Sequence, residues 1–318
     1  MKISLNPVFL LLFLSVPGVE ANDLGDLVQV YGSLRPEVIG RFPETGDHAR
    51  RMDDGYSRVG IKGETELSAD LAGFYKYERR VSANDGQDDG AVRQDHNELR
   101  EVYAGIGGNF GSISIGRHYG LYYDYIDDEL DRHRSHYSDA IVFGDLFVSN
   151  SLVYSSPQLG SFNFGALVEL NDADERGKSI DERFEIAGTF HYRDLSINAG
   201  LVDSPRHRGL LGTVASYRYR SLNLVAVYQK IERDRNREDT LFSLATDIDL
   251  TPANRVRLAI TSKQNKSDAD LDERYIIIGG DHRFSKHFLA FVEFYKKSTQ
   301  VAQPSDESAL ITGFRFDL

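Results

Sequence analysis

The chain has 318 residues, 49 of them acidic against 37 basic, giving a formal net charge of −12. That balance, with no basic stripe to offset it, excludes nucleic acid as a partner. It has no cysteine, so it uses no disulfides.

The first residues read as an export address. Lys2 supplies a positive start, Val8 to Leu14 an apolar stretch, Pro17-Gly18 a helix breaker and Val19-Glu20-Ala21 a small-residue end. That order predicts a signal peptide over 1–21, cleaved after Ala21. The apolar stretch is too short to span a bilayer as a helix, and no later run approaches the roughly 20 residues required. Residues 22–318 show no linker or composition break and are expected to form one domain.

From there the chain is a relay of segments in which every second residue is apolar. In the first, Val28, Val30, Gly32 and Leu34 alternate with Gln29, Tyr31, Ser33 and Arg35. In the second, Val59, Ile61, Thr65 and Leu67 oppose Arg58, Lys62, Glu64 and Glu66. The fourth sets Arg100 on one face with Val102 and Ala104, which leaves Glu101 and Tyr103 on the outward one. Phe242, Leu244, Ile248 and Leu250 oppose Ser243, Asp247 and Asp249, and Val256, Leu258 and Ile260 oppose Arg255 and Arg257. The last segment, Leu310 to Leu318, runs to the chain end. A period of two over about ten residues, repeated in this way, predicts an all-β, transmembrane antiparallel β-barrel with a polar lumen. Seventeen Tyr and eighteen Phe suit one whose rings sit at the water–lipid boundaries.

The connections fix the strand number. Seven are short, at 68–70, 107–111, 156–160, 192–195, 219–222, 251–254 and 284–287. Eight are longer and mostly charged, near 41–56, 81–97, 119–146, 171–181, 203–210, 232–239, 264–273 and 298–307. Short and long alternate without a break, so the chain is expected to make 16 strands with both ends on the short-turn side. Closure removes the sheet edges that lipid would leave without hydrogen-bond partners.

Several stretches resemble the general-diffusion porins of Gram-negative outer membranes. Tyr56 to Leu67 with Ser68-Ala69-Asp70-Leu71 is similar to that family's second hairpin. Leu99 to Ile106 and Asn109 to Gly120 are similar to its fourth and fifth strands, Tyr122-Tyr123-Asp124-Tyr125 to the entry of its third external loop, and Asn150 to Pro157 to the strand that follows. The resemblance implies a homotrimer of sixteen-stranded barrels in the outer-membrane lipid. It further implies that the third external loop, here about 119–146, folds into the lumen and sets acidic residues against arginines on the wall. Arg58 and Arg100 fall on matching wall positions. Ser33 stands where a Lys is common in enteric members, so the basic ladder reads as thinned. Leu318 ends the chain where most members end in an aromatic residue.

Charges on a lipid face cost about 2–4 kcal/mol at mid-depth, so the charged side of each strand must face water. The expected constriction wall is therefore Arg35, Arg58, Lys62 and Arg100, with Asp124, Asp127, Asp128, Glu129 and Asp131 on the facing loop. Two unit charges about 8 Å apart in water interact by roughly 0.5 kcal/mol, so selectivity is expected to be weak. The function implied is passive diffusion of small hydrophilic solutes and ions. Tyr119, Tyr122, Tyr123 and Tyr125 admit a second reading, a solute-selective channel for a sugar or organic ion; a barrel enzyme or adhesin fits less well. Glu101 on the outward face suggests that the first strands, with the charged loop at 82–97, meet neighbouring subunits. His133 and His136 sit three apart without a metalloprotease pattern, and Gly105 to Gly111 is a turn with no helix behind it. No metal, cofactor or catalytic residue is expected.

Overall fold

The computed structural model describes residues 27–82, 99–170, 183–204, 208–234, 237–266, 272–299 and 306–318. The signal peptide and the 82–97 loop expected above lie, wholly or almost wholly, outside them.

Sixteen antiparallel strands close on themselves. Strand β1 comprises Gln29–Leu34 and Pro36–Pro43, and β2 comprises Ala49–Asp54 and Arg58–Ser68; Arg35 and residues 55–57 interrupt their ladders. The rest are β3 (Leu71–Arg80), β4 (Leu99–Gly108), β5 (Gly111–Tyr119), β6 (Phe147–Ser155), β7 (Phe162–Glu169), β8 (Phe184–Tyr192), β9 (Leu195–Asp203) and β10 (Arg208–Tyr219). They continue with β11 (Leu222–Asp234), β12 (Arg237–Thr251), β13 (Asn254–Asn265), β14 (Glu273–Arg283), β15 (Phe288–Thr299) and β16 (Glu307–Asp317). Each strand pairs with the next. Ser33↔Asp317 and Ile39↔Ile311 join β1 to β16, and the sheet has no free edge.

All seven short turns fall where the alternation put them. Two of the long loops do not. The stretch read as a loop at 41–56 is largely ladder, with Glu37↔Asp53 and Arg41↔Ala49 in register. The one read at 232–239 is mostly the ends of β11 and β12. Both carry charge on either face, so the ladder continues there while the apolar alternation that revealed it stops.

The exposed face is apolar: Val30, Val59, Ile115, Leu244, Ile260 and Val292 all stand out from the sheet. Its aromatic residues gather at two levels. Phe110, Phe162, Tyr192, Tyr219 and Phe284 ring the short-turn end, and Phe42, Phe184, Tyr228 and Phe294 lie near the loop end. This is the girdle pattern of a barrel in lipid.

The inner face is less uniformly polar than alternation suggests. Val202, Leu210, Val214, Val227, Leu241, Ile277, Leu289 and Ile311 are almost completely buried there, beside outward neighbours that are also apolar. They form one cluster with Tyr122, Ile126, Leu130, Tyr137, Ile141 and Phe143 from the β5–β6 connection. Each such side chain removed from water is worth about 1.5–3 kcal/mol, so the cluster anchors that connection.

Strand β4 departs from its expected facing. A register shift at Arg79 inserts one extra residue, so Arg100 and Glu101 both turn inward. Glu101 is buried and ion-paired with Lys76, while Val102 lies opposite the half-exposed Tyr77 on the outer face. An outward Glu101 marking a subunit contact is thereby overturned.

Candidate functional site

Between β5 and β6 the chain forms a short helix, α1 (Leu121–Tyr125), and two 3-10 turns, Asp127–Glu129 and His136–Ile141. None of these would hold alone, since a five-residue helix is far below the length stable in water. Wall residues hold them. Glu185 of β8 accepts the Tyr122 N–H at 2.7 Å, and Asn198 of β9 donates to the Tyr125 carbonyl at 2.7 Å. Gln229 of β11 donates to Asp127. Arg132 pairs with Asp247 of β12, and Arg134 with Asp281 of β14 at 3.3 Å. Glu293 of β15 accepts the N–H groups of Arg134 and Ser135 at 2.6 and 2.9 Å. Glu185, Gln229 and Glu293 each neighbour an exposed apolar residue of the belt: Phe184, Tyr228 and Val292. The connection therefore packs on the face of the sheet opposite that belt.

Two glycines make room for it. A Cβ at Gly212 would meet the Tyr122 hydroxyl at 2.3 Å and Ile126 at 2.6 Å, and one at Gly200 would meet the same two side chains at 3.2 and 3.1 Å.

A cavity of about 390 Å³ lies between this connection and the first strands. The strands give it Arg35, Arg58, Arg100 and Arg315, and the connection gives it Asp124, Asp128, Asp131, Arg132 and Arg134, with His133 and His136. Tyr56, Tyr119 and Tyr123 complete the lining. Buried Arg100 donates to Glu78 at 2.6 Å and lies 5.0 Å from the Phe147 ring, while Arg58 stands 3.9 Å from the other oxygen of Glu78. One carboxylate thus serves two guanidinium groups, and the wall keeps an excess of positive charge. Arg35 donates to the Ser33 hydroxyl at 2.9 Å, and Arg315 to Asp317 at 2.6 Å.

Opposite, the carboxylates differ. Asp124 and Asp128 are exposed to cavity water yet ringed by protein. Burial, then Glu101 and Asp128, push Asp124 up to about 7. Burial, then Asp131 and Glu129, push Asp128 up to about 6. Asp131 accepts the Tyr123 hydroxyl at 2.8 Å.

Of the residues singled out in the sequence, Arg35, Arg58, Arg100, Asp124, Asp128 and Asp131 meet at this cavity. Lys62, Asp127 and Glu129 stand apart from it. Lys62 lies closer to the short-turn end, 5.6 Å from the Tyr31 ring. Asp127 is fully buried, accepting the Gly144 N–H at 2.8 Å, and Glu129 pairs with Arg132.

A closed sixteen-stranded barrel with an apolar outer belt and a charged inner cavity is the architecture the sequence implied, and the family comparison decides the matter. The model of the Gram-negative porin family matches residues 15–301. The chain belongs to that family. It is 25% identical over 221 residues to outer membrane porin F of Salmonella typhimurium, covering 69% of this chain and 54% of that protein. This porin thus spans about half the length of the curated relatives it matches. Its fold is similar to that of Salmonella typhi OmpF, solved with daunomycin (TM-score 0.74, 19% identity, 94% of this chain and 99% of that one). It is also similar to the trimer form of Vibrio cholerae OmpT (TM-score 0.68, 16% identity, 92% and 99%).

Sequence reading of this porin missed Arg315 as a cavity residue, because its strand was read only for barrel closure. It also missed Glu185, Gln229 and Glu293. Their one signal was a carboxylate or amide at inward positions of otherwise apolar strands.

Proposed function

We propose that this porin forms a water-filled channel across the Gram-negative outer membrane for passive diffusion of small hydrophilic solutes and ions. In this reading the β5–β6 connection is the long third loop, folded into the lumen, and the cavity beneath it is the narrowest part of the path. The observation that carries it is the meeting of Arg35, Arg58, Arg100 and Arg315 with Asp124, Asp128 and Asp131 around one wet space inside a closed barrel. Opposed charges across such a gap set up a transverse field that sorts ions weakly by sign. The guanidinium excess makes the preference a mild one for anions. Residues 1–21 act as the cleaved signal peptide, and 22–318 as the mature barrel. Assembly is as a homotrimer, as in the recorded trimer form of OmpT. No residue is assigned a catalytic role.

Proteoliposome swelling tests the proposal. Vesicles carrying the protein should swell in isotonic small sugars at rates that fall smoothly with solute size. Impermeable vesicles would overturn it.

The stacked Tyr119 and Tyr123 rings, 5.4 Å apart on the cavity wall beside the Arg58 and Arg100 guanidinium groups, favour a narrower second reading in which flat organic anions are preferred. The rings would pack against the flat body and the guanidinium groups would pair with the charge. Swelling rates that saturate with an aromatic carboxylate, but not with a sugar of like size, would select it.

A further inference from the structure

We propose that Glu37, Asp53 and His136 form a binding site for a first-row divalent cation, with zinc as its probe, that clamps the long connection to the wall beside the cavity. One ligand atom from each residue lies within 4.8 Å of the other two. Glu37 belongs to β1, Asp53 to β2 and His136 to the second 3-10 turn, so a bound ion would join two strands to the connection.

The site offers an ion one oxygen that no protein group satisfies. The Glu37 side chain is 1% exposed, and its Oε2 has no hydrogen-bond partner. A buried carboxylate oxygen left in that state is costly, and a coordinating cation would recover that cost. Gly55 keeps the space open, since a Cβ there would come within 3.2 Å of that oxygen. His136 contacts Glu37 through Nδ1, and its Nε2 lies 3.8 Å from Asp53. A small turn of this partly exposed ring would present a single nitrogen to an ion between the two carboxylates.

The donor set chooses the ion. Two carboxylates and one imidazole suit zinc and its first-row neighbours, bound at about 2.0–2.2 Å, and are a poor cage for calcium, which takes 6–8 oxygens. Arg51 lies 3.0 Å from Asp53, so with a neutral imidazole the cluster carries one net negative charge. A divalent cation makes that one net positive, at a residue that lines the cavity.

Binding does not depend on the channel reading, so the two can fail separately. The folded protein, stripped with EDTA, would be titrated with zinc chloride by calorimetry, and its thermal unfolding followed with and without zinc. One ion per barrel is expected, with a higher unfolding temperature in zinc. His136→Ala and Asp53→Asn should each weaken binding by at least about tenfold and abolish the zinc-dependent rise in unfolding temperature, each variant being compared with its own metal-free form. His282→Ala, at a site remote in the sheet, should bind as wild type does. No saturable binding at millimolar zinc, or undiminished binding in His136→Ala, would overturn the site.

Discussion

Glu293 holds Ser135 by its backbone: the carboxylate of β15 accepts that N–H at 2.9 Å, with the adjacent N–H of Arg134 at 2.6 Å. A wall strand thus grips the connection by its backbone, in addition to the side-chain pairs of Arg132 and Arg134. Glu293→Ala would leave two buried donors unsatisfied and is expected to cost about 1–3 kcal/mol. Thermal unfolding in detergent should show the loss, and single-channel records should show a noisier open state.

The Gly212 seat gives a sharper steric test. Gly212→Ala should lower the unfolding temperature, because its methyl would overlap Tyr122 and Ile126. The Tyr122 hydroxyl is buried with no hydrogen-bond partner, so Tyr122→Phe alone should be neutral or slightly stabilising. Combined with Gly212→Ala it should recover part of the loss, since the nearest clash disappears. Additive effects in this double-mutant cycle would place Tyr122 elsewhere.

Ion preference should depend on pH with a defined sign. Asp124 and Asp128, raised to about 7 and about 6, take up protons as pH falls through those values, removing negative charge from the cavity. Between about pH 8 and pH 5, reversal potentials in a salt gradient should therefore move toward anions. Asp124→Asn with Asp128→Asn should flatten this dependence and hold the acidic value throughout. Neutralising Arg35 and Arg58 together should move the potential toward cations at every pH.

Because the chain has no cysteine, accessibility can be read one position at a time. Asp128→Cys should react with a small cationic thiol reagent and change the single-channel current. Asp127→Cys, at a fully buried position one residue away, should be protected while the barrel is folded.

The barrel was legible in the sequence because lipid enforces a rule on it. An outward charge is expensive at mid-depth, so Val59, Leu244 and Ile260 had to alternate with polar partners, and turn positions followed. Arg58 and Arg100 were legible for the same reason. The lumen obeys no such rule. Leu210 and Ile277 face inward but are covered by the connection, so they look like belt residues out of phase. Asp127 and Asp128 are neighbours of one type, yet one is sealed against Gln229 and the other open to water, a difference set by which way a 3-10 turn rolls. The β4 bulge, which turns Glu101 inward, likewise left no mark, because a single extra residue keeps the composition unchanged while reversing every facing after it.

Single-channel recording of the purified protein in planar bilayers tests the central claim most directly. A wet bore through a closed barrel predicts stable steps whose size rises in proportion to the conductivity of the bathing salt, grouped in threes if the subunits assemble as proposed. A reconstituted, folded protein that leaves the bilayer insulating would contradict it.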